Sequence, residues 1–379
     1  MPVETPRGTV DEQASTMNSK STGTKKKRWP WFIGGFVLLI GLGLLLAEGH
    51  REEEKELRRR FRETVKERYP QQAAKISQSF GLFYFDVNRP MTDDTALDRK
   101  AVVLVHGLDD PGQVWQNLAP ELVKDDVNVW LMIYPNDQPI VASARLFFDE
   151  LKGLRKLGIQ RVFIVAHSMG GLVSREMLSS PEINFSQAAG NREVPEVGTL
   201  IMVGTPNHGS QLVRFRVVTE MRDHLARLMQ GEAAWLGAIL DGAGEAKIDL
   251  LPGSRFLTEL NARPYPAGVD QWIIAGITSP WNESDIDRWT DGVNQIVSTD
   301  WKKQVDALGD YLISMTHGLG DGLVTVESTR LAGVPHRTVA GTHLSMIRNI
   351  TRDSRRIPPA VPIIVEQLRH TIRAHEELR

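Results

Sequence analysis

Apolar positions along this chain gather into short, dense runs rather than long alternations. Residues 101–105 read Ala-Val-Val-Leu-Val, residues 162–165 read Val-Phe-Ile-Val, and residues 199–203 read Thr-Leu-Ile-Met-Val. Runs this short and this rich in β-branched side chains predict strands buried on both faces. Residues 271–279, QWIIAGITS, predict another strand, and RTVAG at 337–341 a further one approaching His343. GLFYFDV, from Gly81, predicts the first strand of an opening hairpin over 81–98, turning at Asn88-Arg89-Pro90. After the run at 162–165 the period changes: Leu172, Val173, Met177 and Leu178 follow helical spacing.

The stretch 211–268 is too long for an ordinary connection within one domain. Val213, Val217, Met221, Leu225 and Leu228 recur at helical spacing opposite Arg214, Arg222 and Arg227, and Trp235, Leu236, Ile239 and Leu240 add a second apolar stripe. Two readings stand side by side: a helix packed on the sheet, or a helical cap over a site. Residues 281–315 form another insertion, whose Trp281, Trp289 and Trp301 would line an acyl pocket or fill a core.

The N-terminal part follows other rules. Residues 1–28 lack apolar periodicity and end in the basic block Lys25-Lys26-Lys27-Arg28, so a disordered tail is expected. Residues 29–47 carry no charge and begin with Trp29 and Trp31. That length is close to the ~20 residues a membrane-spanning helix needs, and tryptophans favour its interface. A cleaved signal peptide is the rival, but Leu45 is too large for the position two before Ala47. Residues 48–69 are mostly charged with opposite signs at helical spacing, which predicts a solvated helical stalk ending at Pro70. The main domain is then 70–379. Lys25 to Arg28 favour a cytoplasmic N-terminus and a single-pass membrane protein whose main domain is extracytoplasmic, although basic residues also crowd the other flank.

Composition narrows the partners. Lys+Arg 45 against Asp+Glu 47 leaves a net charge of -2, which provides no global attraction for nucleic acid. With no cysteine there is neither a disulfide nor a thiolate metal site. No HExxH helix or phosphate-cradling glycine loop occurs either, so no metal and no cofactor are expected.

The chemistry concentrates at Ala166-His167-Ser168-Met169-Gly170. Between a strand and a helix this fits the nucleophile elbow G-x-S-x-G, with Ala at the first glycine. Such an elbow presents a serine Oγ above the sheet, and the N–H groups that follow point at a developing oxyanion. A serine among small residues is elsewhere an ordinary turn; the flanking strand and helix patterns favour the elbow. His106-Gly107-Leu108 ends a second strand, Asp321 stands between Gly320 and Gly322, and His343 follows Gly341-Thr342.

These residues make the chain resemble the lipase and esterase branch of the α/β-hydrolase superfamily, particularly bacterial lipases. The likeness rests on VHGL, AHSMGG, GTPNHGS, DGLVTVES and GTHLSM, and runs from Ala101 to the C-terminus. It implies an α/β-hydrolase fold, a mostly parallel sheet flanked by helices, preceded here by the expected transmembrane helix and interrupted by the cap. It also implies a Ser168, Asp321, His343 triad in the chain order of that fold. The oxyanion hole would be the Leu108 and Met169 N–H groups, and the substrate a lipid or other ester. Calcium-dependent relatives carry an aspartate shortly after the histidine, whereas Leu344 and Ser345 follow here. That departure argues against a calcium site.

Other candidates compete for these roles. Asp285 and Asp287, soon after QWIIAGITS, rival Asp321 as the acid, while Asp249 reads as a residue of a surface connection. His106, His167 and His208 sit in motifs where backbone shape explains them, and His317 reads as a loop histidine. His336 reads as part of an approach strand, and His370 and His375 as solvated positions on a terminal helix. The resulting expectation is a membrane-anchored serine hydrolase of esters with lipid-like acyl chains. The same triad would serve an acyltransferase or thioesterase, and a non-catalytic membrane tether is the reading from another class.

Overall fold

Strands Lys100–Val105 (β2), Asn128–Ile133 (β3), Arg161–His167 (β4), Glu196–Val203 (β5), Asp270–Ile277 (β6) and His336–Ala340 (β7) run parallel in one sheet, with Gly81–Phe85 (β1) added antiparallel at its edge. The order is β1-β3-β2-β4-β5-β6-β7. The computed structural model describes residues 79–85, 99–108, 112–125, 127–135, 138–210, 245–278, 283–296, 320–351 and 354–377, with scattered positions between 302 and 318.

The dense apolar runs have the cause expected of them. Val102 and Leu104 face one side of β2 and Val103 and Val105 the other, and all four are fully buried. Phe163 and Val165 on β4 oppose Val162 and Ile164 in the same way. Helices Ile140–Lys156 (α1), Met169–Ser179 (α2) and Arg255–Ala262 (α3) contribute to the core on one face of the sheet. Helix Ala360–Glu377 (α5) covers the other with Val361, Ile364 and Leu368, beside Trp115 and Leu118. Helix Glu283–Asn294 (α4) lies between β6 and β7 in the chain. The expected mostly parallel sheet flanked by helices is therefore present.

The structure adds to these expectations and alters one. Gly81 to Phe85 form the expected strand and pair with Ile133 to Val129 of β3, while the rest of the expected hairpin, 86–98, lies outside the described residues. β3 and α1 had no assignment from the pattern, although β3 is largely buried and α1 buries one face, with Ile140, Ala144, Phe147, Leu151 and Leu154. Asp249 is not in a surface connection. It is 2% exposed, and its Oδ2 accepts the Ile140 N–H at 3.1 Å. Pro139 at the cap position has no side-chain oxygen for that task, so a carboxylate from a distant segment satisfies a first-turn N–H and complements the dipole of α1.

The described part of the expected cap, 245–268, joins the body. Ala246 and Leu250, with Phe256, Leu257 and Leu260 of α3, belong to the same core as α1 and α2. The remainder of that insertion, the tail at 1–28, the stretch at 29–47 and the stalk at 48–69 lie outside the described residues, as do Trp281, Trp301 and His317. Among the described residues no helix is long and apolar enough to cross a membrane.

Candidate active site

Ser168 joins β4 to α2 with φ 53 and ψ -127, a backbone conformation that only a tightly determined surrounding sustains in a residue with a side chain. Packing supplies that surrounding. A Cβ on Gly170 would fall 2.4 Å from the carbonyl oxygens of Val105 and His106, and one on Gly171 would fall 2.1 Å from Thr205 Oγ1. Helix α2 thus approaches the ends of β2 and β5 more closely than any residue but glycine permits. The Ser168 N–H also donates to the Val203 carbonyl of β5 at 2.8 Å. Ala166, where the motif's first glycine would be, is fully buried within β4.

Leu108 and Met169 both lie near the serine. Gly107 lies so near that a Cβ on it would be 2.7 Å from Ser168 Cβ, which places the Leu108 turn beside the elbow. Met169 begins α2, where backbone N–H groups lack partners within the helix. The segments that carry the two expected donors thus adjoin Ser168.

Asp321 and His343 meet directly. His343 Nδ1 and Asp321 Oδ2 are 2.6 Å apart, and the His343 N–H donates to the Asp321 carbonyl at 2.9 Å. Asp321 Oδ1 accepts the N–H groups of Leu323 (2.9 Å) and Val324 (2.8 Å), so the carboxylate, 2% exposed, has both oxygens occupied. Gly320 holds the tight turn, with φ 53 and its own carbonyl bound by the Thr278 N–H at 2.7 Å. As the Asp321 side chain only accepts, Nδ1 must be the protonated nitrogen, leaving Nε2 unprotonated in the neutral ring. Nε2 is buried and has no hydrogen-bond partner among the described residues. Ser168 Oγ makes no hydrogen bond to it, a separation that ligand-free sites of this type commonly show.

The rivals fall elsewhere. Asp285 pairs with Arg288 on α4, and Asp287 is exposed on the same helix. Of the histidines, His106 is buried and stacked on Tyr134 with ring centroids 4.3 Å apart. His208 binds the Arg330 carbonyl, His336 contacts Thr329 Oγ1, and His370 is exposed on α5.

His167 is the residue whose role the motif did not reveal. Its Nε2 lies 2.9 Å from the His343 carbonyl, its ring centroid is 4.7 Å from that of His343, and its Nδ1 is buried without a partner. Burial, and next the adjoining His343, hold its pKa well below the ordinary 6.5, so it is a neutral Nε2–H donor. Only its place beside Ser168 hinted at this contact. No group of three residues suited to hold a metal occurs among the described residues.

Among curated proteins none matches. Among solved structures, the mature lipase BlEst2 of Bacillus licheniformis is 18% identical with a TM-score of 0.47, covering 76% of this chain and 97% of its own. The Staphylococcus hyicus lipase is 13% identical with a TM-score of 0.48, covering 76% and 100%. Phospholipase PlaB of Legionella pneumophila is 19% identical with a TM-score of 0.42, covering 71% of this chain and 59% of that one. Resemblances this distant add nothing to a match that covers most of the chain: the family model described as the alpha/beta hydrolase family spans residues 102–372. The chain belongs to the alpha/beta hydrolase family.

Proposed function

We propose that the protein is a serine hydrolase that cleaves carboxylic esters with lipid-like acyl chains. The observation that carries this reading is the Asp321–His343 contact, which leaves a buried, unpartnered Nε2 beside the elbow that holds Ser168. His343 Nε2 takes the Ser168 proton as Oγ attacks the ester carbonyl, and Asp321 Oδ2 steadies the imidazolium that forms. The Leu108 and Met169 N–H groups receive the oxyanion. His343 then gives its proton to the leaving alcohol, the acyl–serine ester remains, and water activated by the same Nε2 releases the acid.

Residues 29–47, uncharged and tryptophan-edged, anchor this enzyme in a bilayer, with the charged stretch 48–69 as a stalk. Lipid esters are then the substrates at high local concentration. A fluorophosphonate probe should label the wild type at Ser168 and leave Ser168→Ala unlabelled, with hydrolysis of the variant lower by several orders of magnitude. Near wild-type turnover in a folded Ser168→Ala protein would sink the reading. Esters of graded chain length then test the acyl preference. A chain beginning at Pro70 should keep its rate on a short soluble ester and lose efficiency on esters in vesicles; unchanged vesicle activity would remove the anchor from the substrate argument.

A further inference from the structure

The turn that carries His343 leads into a loop, described over residues 344–351 and 354–359, that no step of the proposed reaction uses. This loop leaves large aliphatic side chains in water: Leu344 is 39% exposed, Ile350 94% and Ile357 71%. Immediately before Ile350 stands Asn349, 4% exposed, whose side-chain amide donates to the Arg356 carbonyl at 2.6 Å and the Ser354 carbonyl at 3.3 Å. That bond ties the two arms together, and because Ile350 follows Asn349 and Ile357 follows Arg356, it sets both isoleucines at one end of the loop.

Further bonds fix the loop to the site. The Arg356 guanidinium donates to the Ser345 carbonyl at 2.7 Å, and the Ala360 N–H donates to the Met346 carbonyl at 2.9 Å, which closes the base on the His343 turn. On its flank, the Asn349 N–H donates to Asn117 Oδ1 at 2.8 Å and the Asn349 carbonyl accepts from Gln116 Nε2. The loop is therefore braced on the Gln116-Asn117 segment as well as on the His343 turn. Its described residues carry Arg348, Arg355 and Arg356 and no acidic side chain.

Isolated exposed isoleucines are common and need no explanation. Two on one clamped loop, with Arg355 and Arg356 exposed on the same arm as Ile357 and set beside a site for lipid esters, match a partner that is apolar inside and anionic at its surface. We infer that this loop seats the mouth of the active site on an anionic bilayer, with Ile350 and Ile357 entering the acyl boundary and the arginines meeting headgroup phosphates. The inference rests on the lipid-ester reading above. A rigid protein partner fits less well, because side chains that project almost fully into solvent require a preformed pocket there, whereas a lipid phase deforms around them.

The chain has no cysteine, so Ile350→Cys offers a single attachment point for a polarity-sensitive fluorophore in the full-length protein. Leu157→Cys is the control: it is 48% exposed and follows α1, at the end of the sheet opposite the site. Reconstituted in vesicles containing phosphatidylglycerol, the label at 350 should brighten several-fold, shift to the blue and be quenched by brominated acyl chains. The label at 157 should remain water-like, and the gain at 350 should be small in purely zwitterionic vesicles. Arg355→Gln should cut that gain about fivefold, the value of one basic residue at an anionic surface. A label at 350 that stays water-like while soluble esters are still hydrolysed would overturn the docking surface and leave the hydrolase standing. Equal responses at 350 and 157, or in zwitterionic and anionic vesicles, would overturn it too. A label that enters the bilayer on a protein unreactive to fluorophosphonate would sink the enzyme reading instead.

Discussion

Ser168 and His343 must meet for the proposed chemistry, yet different physics holds each in place. The serine is seated sterically: its strained backbone is trapped because Gly170 and Gly171 let α2 press against β2 and the exit of β5, with no room for a Cβ. The histidine is seated by polar bonds. Asp321 takes its Nδ1, the Asp321 carbonyl takes its N–H, and His167 holds its carbonyl. A steric seat tolerates changes in polarity but not in volume. A polar seat tolerates small changes in volume but not the loss of a partner. The two halves of the site should therefore fail in different ways.

The largest expected effect is on the polar side. Asp321→Asn keeps the shape of the side chain but offers Nδ1 no reliable acceptor, which allows the wrong tautomer; turnover should fall about 10⁴-fold while the melting temperature changes little. Asp287→Asn, on the exposed α4, should leave turnover within twofold or so of wild type. Steady-state kinetics with a soluble ester decide this. A severe Asp287→Asn paired with a mild Asp321→Asn would move the acid to another loop.

On the steric side the loss should appear in stability. Gly170→Ala puts a methyl group 2.4 Å from two backbone carbonyl oxygens, a clash no rotamer can relieve, and should cost about 2 kcal/mol or more. Gly190 ends a short helix, Phe185–Gly190, and a Cβ there meets nothing within 4 Å, so Gly190→Ala should be neutral or stabilising by up to about 1 kcal/mol. Denaturant unfolding of both variants measures the difference. Equal costs would mean that the elbow is not held by close packing.

The same division explains what could be read in advance. A steric elbow is written within a few consecutive residues, so AHSMGG between an apolar run and a helical pattern identified Ser168. Asp321 was legible through its flanking glycines, both of which adopt positive φ in the acid turn. His167 was not, because its partner lies 176 residues away and nothing local marks a histidine that binds a distant carbonyl. Asp249 was misplaced for the same reason: the N–H it satisfies is 109 residues distant. β1 fits the strand pattern of its own residues, but the choice of β3 as its partner belongs to the sheet.

The smallest effect tests whether His167 is a neutral member of the polar seat. Its native pKa lies well below 6.5, mainly because burial penalises the cation and next because His343 is close. In the unfolded chain it returns to about 6.5. Below that value the unfolded state binds a proton that the native state refuses, so stability falls with falling pH, by about 1.4 kcal/mol per unit, until the native pKa is reached. Above about 6.5 the residue adds no pH dependence. His167→Gln keeps an N–H donor for the His343 carbonyl but cannot titrate, and every other histidine contributes equally to both proteins. Unfolding free energies measured at intervals below pH 6.5 should therefore decline less steeply for His167→Gln than for the wild type, and the curves should run parallel above it. Parallel curves throughout would mean that His167 is charged in the native protein. The imidazole of His343 would then rest beside a cation, and the polar seat would have to be redrawn.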